Sequence, residues 1–152
     1  MANKIFISYA HEPKSRRAAT ELAARLRRDG LPVWMDQWEV KPGQMWKSAM
    51  ESALQEANTV LAIVGKSKGS RMLEKELKAA LEQEKTVIPV LTEEADFDDI
   101  PEMIRDRQAV VPTNDKNAYR QLLWALGKSK PEPDDLDSLT FWQRMKRYII
   151  NE

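Results

Sequence analysis

Short apolar runs alternate with longer amphipathic segments along most of the chain. The runs are rich in β-branched and aromatic residues, which is typical of buried strands. They predict strands over residues 4–9, 31–36, 59–65, 86–91 and 109–112. The third run is apolar throughout, as expected for a central strand that is covered on both faces of a parallel sheet.

The segments between these runs carry apolar residues at helical spacing. They predict helices over residues 15–30, 46–57, 72–84 and 117–127. Gly30 is placed to cap the carboxyl end of the first helix. Pro42 and Gly43 mark a turn in the loop that precedes the second helix.

This alternation of strands and helices, joined by short connections, predicts an α/β fold with a parallel sheet and helices on both faces. Five strands suit the flavodoxin-like doubly wound order 2-1-3-4-5. Ligands of such sheets bind outside the carboxyl ends of the strands, where the strand order reverses between the first and third strands. Residues 8–13 and 65–71 frame that crevice here.

Composition narrows the chemistry that is available. The chain has 152 residues, which suits one domain, and it carries 24 basic and 24 acidic residues, which gives no argument for a nucleic acid or a membrane surface. It has no cysteine, so disulfides, thiol catalysis and cysteine-based zinc sites are excluded. The single histidine, His11, excludes a histidine-rich metal site. Because we see neither a signal peptide nor an apolar stretch of ~20 residues, we expect a cytoplasmic protein.

Three nucleotide or phosphate motifs fail. Residues 64–67 resemble part of a P-loop, but Val60 stands where that motif requires its first glycine. The five glycines form no dinucleotide fingerprint. A phospho-receiver domain needs a cluster of acids for Mg²⁺ after its first strand, and residues 9–12 offer only Glu12.

Four segments of the chain form a pattern that matters as a set: "IFISYAHE", "LRRDGLPVWMDQWEVKPGQMW", "SALQEANTVLAIVGKS" and "SRMLEKELKAALEQEKTVIPVL". Taken together and in order, they resemble the Toll/interleukin receptor (TIR) domain family. The resemblance covers residues 4–91. Many members cleave NAD⁺ at the nicotinamide–ribose bond, so it implies NAD⁺ as a substrate, with no cofactor and no metal.

The resemblance implies that Glu76 is the catalytic residue, because the family's glutamate directly precedes the leucine of the third helix. Glu74 falls at a variable position. Residues two apart do not share a helix face, so only one of these carboxylates can serve the crevice. Nicotinamide is already a cationic leaving group and needs no general acid, so one carboxylate can suffice to stabilise the positive charge that develops on the ribose.

Further roles are carried over from the family. The implied substrate-binding residues are Tyr9, Ala10, His11, Asp36, Trp46, Ser70 and Met72. The implied self-association loop includes Trp38, Val40, Pro42, Gly43 and Met45. Met72 departs from the family, which usually has tryptophan there.

Structural interpretations stay open beside these roles. His11 also suits an ordinary loop residue, Asp36 a brace for its loop, and Trp46 packing. Trp34 and Trp124 are interpreted as core residues. Arg16, Arg17, Arg25, Arg27 and Arg28 are interpreted mostly as the solvated face of the first helix.

We therefore expect a TIR domain over residues 1–127, followed over residues 128–152 by a linker and an amphipathic helix. The expected function is NAD⁺ hydrolysis, or a related ADP-ribosyl cyclase reaction, in bacterial defence signalling that self-association activates. The alternative is a non-catalytic TIR module that acts by TIR–TIR assembly. We expect no direct contact with nucleic acid or membrane.

Overall fold

The computed structural model describes residues 4–10, 12–35, 42–66, 71–92, 94–107 and 116–128. Within them lies one parallel sheet in the order β2-β1-β3-β4. Its strands are β1 (Ile5–Tyr9), β2 (Val33–Trp34), β3 (Thr59–Val64) and β4 (Thr86–Leu91). The predicted fifth strand, residues 109–112, lies outside the described residues. The described sheet therefore has four strands and not five.

Four α-helices accompany the strands: α1 (Pro13–Arg28), α2 (Trp46–Glu56), α3 (Arg71–Glu82) and α4 (Lys116–Ala125). Two single turns of 3₁₀-helix, Phe97–Asp99 and Glu102–Ile104, follow β4 and were not predicted, because three residues are too few to show a period. Of the predicted linker and terminal helix, only Lys128 lies within the described residues. In the part of the chain that the structure describes, no helix is both long and apolar enough to cross a membrane.

Helix α1 begins two residues earlier than its apolar spacing predicts. Glu12 has an extended backbone and caps the helix, since its side chain accepts a hydrogen bond from the Ser15 backbone N–H at 2.9 Å. Pro13 follows at the first helical position, where its missing N–H costs nothing. The amino end of α1 is thus held by the residues just after β1.

The carboxyl end of α1 is closed by the predicted cap at Gly30, whose φ is +85°. The Leu31 N–H bonds to the Leu26 carbonyl and the Gly30 N–H bonds to the Arg27 carbonyl, each at 3.0 Å. This pair of bonds is the Schellman motif. Because the Leu31 N–H is part of this motif, β2 begins later than predicted. At the other end of the predicted strand, Asp36 lies outside the described residues.

The core lies between the sheet and its helices. Every residue of β1 and β3 is buried. Trp34 on β2 is half-buried and stacks on Phe6 with ring centroids 4.9 Å apart. Trp124 is 44% exposed, so its interpretation as a core residue was wrong. The buried positions of α4 include Ala118 and Leu122, and Trp124 points away from them because residues two apart lie on different faces of a helix.

Candidate active site

The side chain of Glu76 is buried, whereas the other charged residues of α3 whose burial the structure describes are exposed. Glu76 is only 8% exposed, and its Oε2 accepts a hydrogen bond from the Ser8 hydroxyl on β1. Glu74 is exposed. The two glutamates therefore lie on different faces of the helix, as their spacing predicted.

The sheet leaves room for this carboxylate. In a strand, alternate side chains share a face, so Ser8 and Phe6 lie on the side of β1 that meets α3. Ser8 is in register with Ala62 on β3, and Ala62 is in register with Pro89 on β4. The small side chains of Ser8 and Ala62 let a helix residue bring its carboxylate against the sheet near the carboxyl end of β1.

On the other side of the crevice, the start of α1 meets the end of β3 at Gly65. A Cβ atom on Gly65 would lie 2.5 Å from the Ser15 Oγ and 3.0 Å from the Glu12 Oε1. Ser15 is buried, and its hydroxyl donates to the same Glu12 oxygen at 2.6 Å. Glycine is needed here because of space, and its small size lets the segments after β1 and β3 approach each other.

At the same edge of the sheet, an ion pair links the start of α1 to the segment after β4. Lys14 in the first turn of α1 pairs with Glu94, which follows β4. The hydrogen bond and charge of Lys14 lower the pKa of Glu94 below its ordinary value. Both side chains are exposed, and exposed pairs contribute little to stability. The pair nevertheless marks the rim of the crevice as a charged surface.

The structure brings together only part of the predicted substrate site. Tyr9 and Ala10 are buried directly after Ser8, beside the Glu76 contact. Trp46 is half-buried in the first turn of α2. His11, Asp36 and Ser70 lie outside the described residues, as does the side chain of Met72.

Of the predicted self-association loop, Pro42, Gly43 and Met45 are exposed, while Trp38 and Val40 lie outside the described residues. Met45 is 74% exposed. It lies at the mouth of a shallow groove of about 470 Å³ between β2 and α2, which does not include Glu76. The groove is lined by Trp34, Gln44, Met45, Ser48, Ala49, Ser52, Ala53 and Glu56.

Ser8, Glu12, Ser15 and Gly65 were not predicted as site residues. The sequence predicts residues 8–13 and 65–71 as the walls of the crevice, but nothing in the local pattern pairs a strand serine with a helix glutamate. Among the described residues, no three histidine, aspartate or glutamate side chains gather as a set of metal ligands.

A parallel sheet in the order β2-β1-β3-β4, with helices between its strands, defines an α/β module. The family model of the TIR domain matches residues 5–123. The chain belongs to the TIR domain family, as its motifs indicated. TIR domains are signalling modules.

Several solved structures share this fold. The TIR domain of the Toll-related receptor TRR-2 from Hydra magnipapillata has a TM-score of 0.64 and 19% identity, covering 82% of this chain and 98% of that one. The TIR domains of the activated Roq1 resistosome, which recognises the effector XopQ, have a TM-score of 0.57 and 20% identity, covering 99% of this chain and 84% of that one.

A 2-deoxyribosyltransferase from Bacillus psychrosaccharolyticus is a third neighbour, with a TM-score of 0.60 and 17% identity, covering 85% of this chain and 98% of that one. At these identities the likenesses show the fold. No curated protein matches the chain in sequence.

Proposed function

We propose that this TIR domain cleaves NAD⁺ at the nicotinamide–ribose bond, with Glu76 as the catalytic residue. The observation that carries the proposal is the burial of Glu76 beside the carboxyl end of β1, where doubly wound sheets bind their ligands. A carboxylate that only solvates a helix surface has no reason to be taken out of water, because burying a charge costs free energy.

The reaction needs few catalytic groups from the protein. The bond between the ribose carbon and the pyridine nitrogen breaks, and its electron pair goes to the nitrogen, which neutralises the nicotinamide. Positive charge develops on the ribose, where the Glu76 carboxylate stabilises it. A water oxygen then bonds to that carbon and gives up a proton, which yields ADP-ribose. Attack by a group of the same substrate would give a cyclic product instead.

One neighbour in fold, the 2-deoxyribosyltransferase, is a biocatalyst for nucleoside synthesis, which is consistent with chemistry at a ribose-type carbon. Another, the Roq1 assembly, is an activated resistosome that recognises a pathogen effector. By analogy, a defence role suits the proposed reaction, since consumption of NAD⁺ or release of an ADP-ribose product would serve as the signal.

We also propose that self-association controls the reaction. Pro42, Gly43 and Met45 present an exposed, partly apolar segment at the start of α2, beside the groove along β2. Exposed apolar groups next to a groove mark candidate interaction surfaces. If Met72 has removed the catalytic competence that tryptophan confers, the same surface supports the second candidate function, a non-catalytic TIR module that acts by assembly.

The test is incubation of concentrated protein with NAD⁺ and chromatography of the products. We expect nicotinamide and an ADP-ribose product from the wild type. Glu76→Gln keeps the shape and removes the charge, so it should reduce turnover by ~10²–10³-fold. Glu74→Gln is the matched control on the exposed face and should stay within a few-fold of wild type.

Equal losses in the two variants would contradict the assignment of Glu76. No nicotinamide from the wild type at any concentration would favour the non-catalytic module.

A further inference from the structure

The hydroxyl of Ser8 is a polar group in an otherwise apolar strand. Ser8 is 1% exposed, and the four strand residues around it, Ile5, Phe6, Ile7 and Tyr9, are apolar or aromatic. A buried hydroxyl costs free energy unless it forms a hydrogen bond. The Ser8 hydroxyl donates to Oε2 of Glu76, which is 68 residues away in the chain.

Among the described strand residues in register at this level, Ser8 has the side-chain donor that bonds to the carboxylate. Its neighbours in register are Ala62 on β3 and, beyond it, Pro89 on β4. Neither of those side chains carries a hydrogen-bond donor. At this level of the sheet, the small side chain of Ala62 leaves space for the Glu76 carboxylate, and the Ser8 hydroxyl binds one of its oxygens.

We propose that Ser8 is a positioning residue that sets the orientation of the Glu76 carboxylate toward the substrate ribose. The inference rests on the proposed function. A glutamate carboxylate rotates freely about its last torsion, which has no sharp minima. A hydrogen bond from a hydroxyl on a buried strand restricts that torsion, because the strand backbone cannot shift without disturbing both neighbouring strands.

Orientation matters most when charge develops on the ribose, since electrostatic stabilisation depends on groups that are already in place. The loss of Ser8 should therefore appear mainly in kcat and not in KM. Ser8→Ala should reduce kcat by ~10–100-fold, the range expected for one hydrogen bond to a charged group. KM should change by less than about threefold, since most substrate contacts remain.

Two variants separate positioning from a structural effect. Ser8→Thr keeps a hydroxyl on a β-branched side chain that suits a strand, and it should restore most of the lost kcat. Thr59→Val removes a different buried hydroxyl, at the opposite end of β3 from the crevice, and should leave kcat near wild type. If Ser8→Ala retains the wild-type kcat, or if Thr59→Val loses as much, Ser8 does not position the reacting group.

A double variant gives a second criterion. In a Glu76→Gln background the carboxylate is already gone, so adding Ser8→Ala should reduce turnover no further. Coupled residues show this lack of additivity, and independent ones do not. Full additivity of the two losses would overturn the inference.

A measurement without substrate distinguishes failure of this inference from failure of the proposed function. Protein labelled with ¹³C at the glutamate δ-carbon gives a Glu76 resonance, assigned as the one missing from Glu76→Gln. That resonance should move in Ser8→Ala and stay in place in Thr59→Val.

An unmoved resonance in Ser8→Ala would show that the hydrogen bond is not made, and would overturn the inference even if the wild type cleaves NAD⁺. A moved resonance in a protein that cleaves no NAD⁺ would instead show that the proposed function is wrong. The positioning role toward ribose would then be wrong with it.

Discussion

Gly65 shows how one residue controls the distance between two walls of the crevice. Its backbone lies against the Ser15 hydroxyl and the Glu12 carboxylate, which together cap α1. Any side chain would have to displace these atoms. Ser15 is buried and short, so it cannot swing aside as the end of a long side chain could.

We predict that Gly65→Ala reduces the free energy of unfolding by ~1–3 kcal/mol, the usual cost of overpacking. The added methyl must push the Ser15 hydroxyl away from Glu12 and weaken the helix cap. In a chain of this length, each kcal/mol corresponds to ~2–4 °C in Tm, so thermal melting detects the change.

Ser15→Ala is the control for this prediction. The double variant Gly65→Ala, Ser15→Ala should lose less stability than the sum of the two single variants, because the closest clashing atom is gone. Simple addition of the two losses would show that the methyl group collides with something else.

At the scale of elements, α1 and α4 are joined by a polar cluster that the helical pattern did not predict. The Tyr119 hydroxyl donates to the Asp29 carboxylate, and the Arg25 guanidinium lies 3.8 Å from the centre of the Tyr119 ring. The Arg27 Nη2 donates to the Val33 carbonyl at 2.7 Å. Arg25 is half-buried and so is not simply part of a solvated helix face, whereas Arg27 is exposed as expected although its guanidinium reaches β2.

Tyr119→Phe should reduce the free energy of unfolding at pH 7 by ~1–3 kcal/mol, because it removes a hydrogen bond to a carboxylate. Burial, followed by the hydrogen bond to Asp29 and its charge, raises the pKa of Tyr119 above the ordinary value for tyrosine. The protonated form is thus favoured in the folded state, and this contribution is present in full below the unfolded-state pKa of ~10.

As the pH rises above that value, the unfolded chain loses the tyrosine proton while the folded protein keeps it, so the stability contributed by Tyr119 declines. The difference in Tm between wild type and Tyr119→Phe should therefore narrow above pH ~10. A difference that stays constant or widens from pH 8 upward would show that Tyr119 is not held protonated by this cluster.

At the scale of the whole molecule, the most exposed large hydrophobic side chain among the described residues is separate from Glu76. Met45 is 74% exposed, and the groove beside it lies along α2 and the short strand β2. Leu54 alone is buried among the described residues of α2. This helix thus has a large outer surface available to a second copy of the chain.

We predict that specific activity rises with protein concentration and that Met45→Glu suppresses both the rise and the assembly seen by light scattering. A charge at the centre of an apolar contact is costly to desolvate, whereas at an exposed position it costs the monomer little. Met103→Glu is the matched control, since Met103 is also exposed but lies in the second 3₁₀ turn.

Specific activity that is flat over a hundredfold dilution, with a monomeric mass throughout, would contradict control by self-association. Equal effects of Met45→Glu and Met103→Glu would instead indicate nonspecific association.

The amino-acid sequence by itself determined most of the described helices and strands and several of their buried faces. Strand β4 has the predicted bounds, and Gly30 forms the predicted helix cap. The opposite faces of Glu74 and Glu76 also follow from sequence, because helical period depends only on spacing. These features are local: each is decided by residues within about one or two turns of the backbone, and the apolar pattern records them directly.

Tertiary structure alone decided which side chains meet. Ser8 contacts Glu76, which is 68 positions away, and Tyr119 contacts Asp29, which is 90 positions away. Gly65 meets Ser15 only because the start of α1 and the end of β3 converge at one edge of the sheet. A local pattern states that a residue is buried, but not which buried partner it will have. That choice depends on strand order, register and side-chain volume together, and those are settled only when the elements pack.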